Sequence, residues 1–173
     1  MNAEMMEVLK LTTDQITKQR LPRWNELPDL EIYMDQVISL ITRYIADFPS
    51  VDEKGLTASM VNNYVKLGMI PAPKKKKYTR THLAYLIIIC ILKSVLPITL
   101  IHQMISDELD SGKTGEALYD SFCEQFERTD AAASSEILKL TEAESATELA
   151  FCAALRAQAE QSLAQTLLDN LKA

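Results

Sequence analysis

Glycine and proline are scarce in this chain, at 4 and 6 of 173 residues, and with Leu, Ile and Ala abundant the composition favours helix throughout. Cysteine is equally rare. Cys90, Cys123 and Cys152 are odd in number, far apart and set among apolar neighbours, which argues against a disulfide framework and for reduced thiols in a core. Neither of the 2 histidines, His82 and His102, has a second His, Cys or acid at ligand spacing, so no metal or cofactor is expected. No N-terminal stretch joins basic residues to an apolar core and a small-residue cleavage site. The longest apolar run, Leu83 to Leu92, covers about ten residues, too few to span a bilayer. The expectation is a cytoplasmic chain with no membrane segment, forming one domain over residues 1–173.

Signals for catalysis are missing as well. Gly112, Lys113 and Thr114 echo the end of a phosphate-binding loop, but the position that needs the first glycine is Asp107 and no strand precedes it. Thr114 reads instead as a helix cap. Cys90 lies in an apolar helix, where desolvation raises a thiol's pKa and makes it inert. Glu142, Glu144 and Glu148 crowd the start of the last helix, where the helix dipole favours anions. No nucleophile has a visible base, and no enzymatic activity is expected.

The most informative absence is local. From Lys54 to Ser106 there is no Asp or Glu, yet there are seven Lys and one Arg, a charge of +8; the rest of the chain carries 10 basic and 24 acidic residues and sums to −14. Such a segment attracts polyanions even on an acidic protein.

Within that segment Thr57 is placed to cap a helix over residues 58–67, and Gly68 to close it in the left-handed conformation. Val61, Tyr64 and Val65 fall on its inner face, and Ser59, Asn62, Asn63 and Lys66 on the opposite one. Met69 and Ile70 start an extended piece, Pro71 and Pro73 forbid helix, and Lys74, Lys75, Lys76 and Lys77 lead to Tyr78. This pattern fits a very small β-hairpin with a Lys tip, a wing. Thr79 then caps a helix that opens with Arg80 and is apolar on almost every side from Leu83 to Leu92, so other helices must enclose it.

The order short helix, Gly-Met-Ile-x-Pro, basic hairpin ending in Tyr, then Thr-x-x-His-Leu-x-x-Leu resembles the winged helix-turn-helix of MerR-type transcription regulators. More closely, LPRWNELPD at 21–29 with LTASMVNNYVK, IPAPKKKKYTRTHLAYLIIICILK and VLPI is similar to a bacterial family known as domain of unknown function 1836, over about residues 21–109. The resemblance implies a MerR-like fold and brings no established activity. The chain differs from MerR-type recognition helices, which usually show Arg-Tyr-Tyr where it has Asn62, Asn63 and Tyr64, and its wing is shortened.

Outside this segment, residues 2–19 form an amphipathic helix with Met6, Leu9 and Ile16 on one side, and LPRWNELPD is a strap that Trp24 anchors on the core, its indole N–H meeting a carbonyl. Asp29 to Phe48 reads as a helix under the recognition helix, with Ile32, Val37, Leu40, Ile41, Tyr44, Ile45 and Phe48 at helical spacing. Thr99 is placed to cap a short helix through Ile101, Met104, Ile105 and Leu109; 116–128 is a further helix, and Ala131 to Ser135 a connector. Thr141 with Glu144 forms a capping box for a long helix to about Leu171, whose apolar positions run Leu149, Cys152, Leu155, Ala159, Leu163, Leu167, Leu171. Residues 107–173 hold fourteen acidic and five basic side chains, a net −9.

The expected fold is all-α, a helical bundle containing a winged helix-turn-helix at about 31–96, with acidic C-terminal helices over 110–173. The expected function is binding of double-stranded DNA as a homodimeric transcription regulator. Ser59, Asn62, Asn63 and Lys66 would enter the major groove, and Lys74, Lys75, Lys76, Lys77, Tyr78 and Arg80 would serve the wing. The alternative is a protein-interaction module in which the same fold has lost DNA reading and the Lys patch meets an acidic partner.

Overall fold

The computed structural model describes residues 3–48, 55–138 and 145–170. Among them are seven α-helices and no strand: α1 (Ala3–Thr17), α2 (Met34–Tyr44), α3 (Ala58–Lys66), α4 (Arg80–Leu92), α5 (Ile98–Asp110), α6 (Gly115–Leu138) and α7 (Ala146–Asn170). None is long and apolar enough to cross a membrane. The chain falls into two compact units, one of residues 21–123 and one of residues 1–20 with 124–173.

The first of these units is built around α4. Ten of its 13 residues, His82 to Ile91, are buried. The all-round apolar sequence requires this enclosure, and α2 and α5 pack directly on the helix. In turn α2 also packs on α3, so Val37 and Ile41 face Val61 and Tyr64 across a common core. Thr57 caps α3, its Oγ1 accepting from the Met60 N–H at 3.2 Å. Gly68 closes it with φ +72: the Gly68 N–H reaches the Val65 carbonyl at 3.0 Å and the Met69 N–H the Tyr64 carbonyl at 2.9 Å, a Schellman pair.

Several expected boundaries move. The second helix begins at Met34, because Ile32 spends both backbone groups on an antiparallel bridge to Tyr78, at 2.9 and 2.8 Å. A partner 46 positions away (78 − 32) leaves no trace in the helical spacing around Ile32. The same helix ends at Tyr44, short of Phe48, although Ile45 and Phe48 stay buried. Pro97, not Thr99, occupies the N-cap position of α5. The Ala131 to Ser135 connector is helix, inside the 24-residue α6, since Ala and Ser supply no break where neither Gly nor Pro is present.

In the other unit the exposed side of α1 includes Met6, while Thr13 is buried and Leu9 and Ile16 are half-buried. The Thr141–Glu144 capping box lies outside the described residues. At the start of α7 Ser145 Oγ accepts from the Glu148 N–H at 3.1 Å.

Candidate nucleic-acid interface

Ser59, Asn62, Asn63 and Lys66 are all exposed and lie within about one quadrant of α3, opposite buried Val61 and Tyr64. Ser59 and Asn63 also line a groove of about 550 Å³ with Met60, Tyr64, Lys93 and Leu96. Lys93 directly follows the apolar run of α4. Its place at the C-cap of α4 brings a cation to the edge of the α3 face. Burial pushes the nearby Cys90 thiol up to about 11, and the Lys93 ammonium tempers that rise.

The lysines form a tight turn. Lys74 and Lys77 make an antiparallel bridge, the Lys77 N–H donating to the Lys74 carbonyl at 2.9 Å. Between them Lys75 and Lys76 both take positive φ, 51° and 62°. Two successive positive φ values are the mark of a type I′ turn, a geometry that Asn-Gly usually fills. Left-handed backbone costs a non-glycine residue roughly 1 kcal/mol. Lys74, Lys75 and Lys76 are exposed at this tip. Lys77 is half-buried, 3.4 Å from the Glu31 carboxylate and over the Tyr33 ring at 5.9 Å.

Tyr78 and Arg80 stand apart from these lysines. Tyr78 is buried, and its backbone carries the bridge to Ile32. The Arg80 Nε donates to the Leu27 carbonyl at 3.1 Å, its guanidinium lies 3.7 Å from Asp29 and it covers the Trp24 ring at 5.8 Å. Both residues therefore hold the 21–33 segment against α4.

His82 locks the base of the Lys turn. It is buried at 5% exposure and packs edge-on against Tyr78, ring centroids 5.1 Å apart. Nδ1 accepts from the Thr79 N–H at 3.0 Å, and Nε2 lies 3.1 Å from the Pro71 carbonyl. A carbonyl only accepts, so the proton is on Nε2 and the ring is neutral. Burial lowers the His82 pKa, and the bond to the Pro71 carbonyl opposes that shift. One imidazole thus ties the entry and exit of residues 71–79 together.

The Trp24 strap is fixed by α6. The Trp24 backbone N–H, rather than its indole, donates to Asp120 Oδ1 at 2.8 Å. Tyr119 is fully buried, and its hydroxyl donates to the Pro22 carbonyl at 2.8 Å. Gly115 admits the close approach, since a Cβ there would stand 3.0 Å from the Tyr85 hydroxyl. His102 lies half-buried on α5, and no group of three or more potential metal ligands occurs among the described residues.

A family model described as "Domain of unknown function (DUF1836)" matches residues 22–126. This span nearly coincides with the unit built around α4 and runs 17 residues (126 − 109) past the limit read from sequence, taking in the α6 residues that hold the strap. No curated protein and no solved structure matches the chain.

Proposed function

The chain belongs to the DUF1836 family, and we propose that it is a DNA-binding transcription regulator of MerR-like winged helix-turn-helix type, acting as a homodimer. In this reading α3 is the recognition helix and the Lys74–Lys77 turn is a minimal wing. The observation that supports it is an exposed amide-and-lysine helix face and an exposed lysine tip within one 53-residue segment that carries no acid. Asn62 and Asn63 offer amide forks suited to the N6 and N7 edge of adenine, and the lysines suit phosphates.

The test is a titration of the protein with a random-sequence DNA duplex at several salt concentrations, repeated with Lys74 to Lys77 changed to Gln. Binding should fall steeply with salt, and the log-log slope should flatten in the variant by about 3, since each phosphate contact contributes about 0.9 and Lys77 is partly engaged with Glu31. Absence of binding at low salt removes this reading.

A second reading is favoured by the groove beside α3, whose Lys93, Ser59 and Asn63 suit an acidic segment of a protein partner. Asn62→Ala and Asn63→Ala separate the two. Only DNA recognition loses sequence preference in these variants while nonspecific duplex binding stays nearly constant.

A further inference from the structure

The helix α7 leaves a row of large apolar side chains in solvent. Phe151 and Leu155 are each 67% exposed, Leu163 60% and Leu167 57%, and Ala159 between them is exposed as well. Other positions of the helix pack within its own unit: Leu149 and Leu168 are buried and Cys152, Gln161 and Ala164 are half-buried. The exposed row is therefore surplus to the packing of the unit. Soluble surfaces rarely keep a contiguous set of this kind uncovered.

The order of residues along the row identifies what covers it. Phe151, Leu155, Ala159, Leu163 and Leu167 recur at an interval of four and read large, large, small, large, large from either end. An isologous two-fold contact requires that symmetry, because each patch meets an inverted copy of itself. With the axis at Ala159, Leu155 of one copy meets Leu163 of the other and the two Ala159 residues meet, while Phe151 and Leu167, each about 80° around the helix from Ala159, flank the contact on either side. Alanine at the crossing point lets the helix backbones approach closely. Rows at an interval of four interdigitate when the helices cross at about −50°.

The charges beside the row have the same symmetry. Arg156 and Glu160, both exposed, lie along one edge of it, three residues before and one residue after Ala159. Antiparallel pairing about Ala159 sets Arg156 of each copy about 3 Å along the axis from Glu160 of the other, within reach of an Arg side chain. Two opposite-charge pairs result, and no like charges are brought together. A parallel two-fold arrangement would put these edges on opposite sides of the contact and form neither pair.

We infer that the exposed face of α7 is the surface on which a second copy of this chain docks, antiparallel, with Ala159 on the two-fold axis. This dimer stands whether or not the protein binds DNA.

The test uses the full-length protein. Sedimentation over a wide concentration range should show a reversible dimer, and Leu155→Glu should weaken it by about a hundredfold or more, because each substitution is present twice at the interface. With Cys152→Ser as background, Ala159→Cys should form a disulfide-linked dimer under mild oxidation, and Ala154→Cys, exposed on another side of the helix, should not. Leu163→Cys should cross-link to Leu155→Cys and not to itself, which separates antiparallel from parallel pairing. A monomer at every concentration, a dimer indifferent to Leu155→Glu, or cross-linking through residue 154 and not 159 overturns the inference. Should Leu155→Glu fail to fold, the exposed cysteine variants decide alone.

Discussion

At the scale of single residues, the sequence marks which side chains matter and leaves their partners hidden. The sequence sets His82 three positions after Thr79 at a helix start, and the structure adds that its Nδ1 accepts from the Thr79 N–H. Its second bond, to the Pro71 carbonyl, depends on the fold of the intervening turn. The same holds for Arg80, whose partners are Leu27, Asp29 and Trp24, more than fifty positions earlier. For His82 the arrangement has a titration consequence. Its pKa is lowered from the ordinary 6.5, so the unfolded chain binds the proton more readily than the folded one. The stabilisation is present above pH 6.5 and is lost as pH falls through the lower folded value. Asp130 works oppositely: burial raises its carboxyl to about 6, and the stability this contributes is lost as pH rises through that value. The difference between wild type and His82→Gln isolates the histidine. In urea denaturation followed across pH 5 to 8, the variant should be less stable by roughly 1–3 kcal/mol at the alkaline end, the cost of two buried hydrogen bonds, and the gap should narrow towards acid. A constant gap would refute the titration.

At the scale of elements, helices whose apolar pattern is settled locally were readable, and those shaped by distant backbone were not. Both ends of α3 follow from Thr57 and Gly68, and α4 from Thr79 and its apolar run. The start of α2 did not follow, because the bridge between Ile32 and Tyr78 is a tertiary fact. Nor did the length of α6, where a run of small residues reads as a break only if helix propensity is set aside. The Lys turn lies between these cases. Its basic character is plain in the sequence, but the left-handed pair at Lys75 and Lys76 is not, because lysine is an unfavourable residue for that backbone. Strain held by charged residues at an exposed tip is expected where charge outweighs stability. Lys75→Asn with Lys76→Gly should therefore raise the unfolding free energy by about 1 kcal/mol and, on the DNA-binding proposal, weaken duplex binding at low salt. A double variant that is no more stable than wild type would show that the turn is unstrained.

At the scale of the whole molecule, the family segment and one compact unit nearly coincide, residues 22–126 and 21–123. The family resemblance read from the sequence stops near residue 109, close to where the charge reverses, because charge and motif spacing change there while packing does not. Leu118, Tyr119 and Cys123 are buried beyond that point, and the Pro22 carbonyl accepts from both the Tyr119 hydroxyl and, at 3.8 Å, the Cys123 thiol. The acidic part of the chain thus begins inside the folding unit of the basic part. A fragment of residues 21–126 should unfold cooperatively, and one of residues 21–110 should not. Burying a side chain the size of Leu118 or Tyr119 contributes about 2–3 kcal/mol, so losing several of them removes much of the roughly 5–15 kcal/mol that holds a small domain together. Urea denaturation followed by the fluorescence of Trp24, the single tryptophan, reads the strap directly. Equal midpoints for the two fragments would mean that α6 is an appendage and that α4 and its neighbours hold the strap without it.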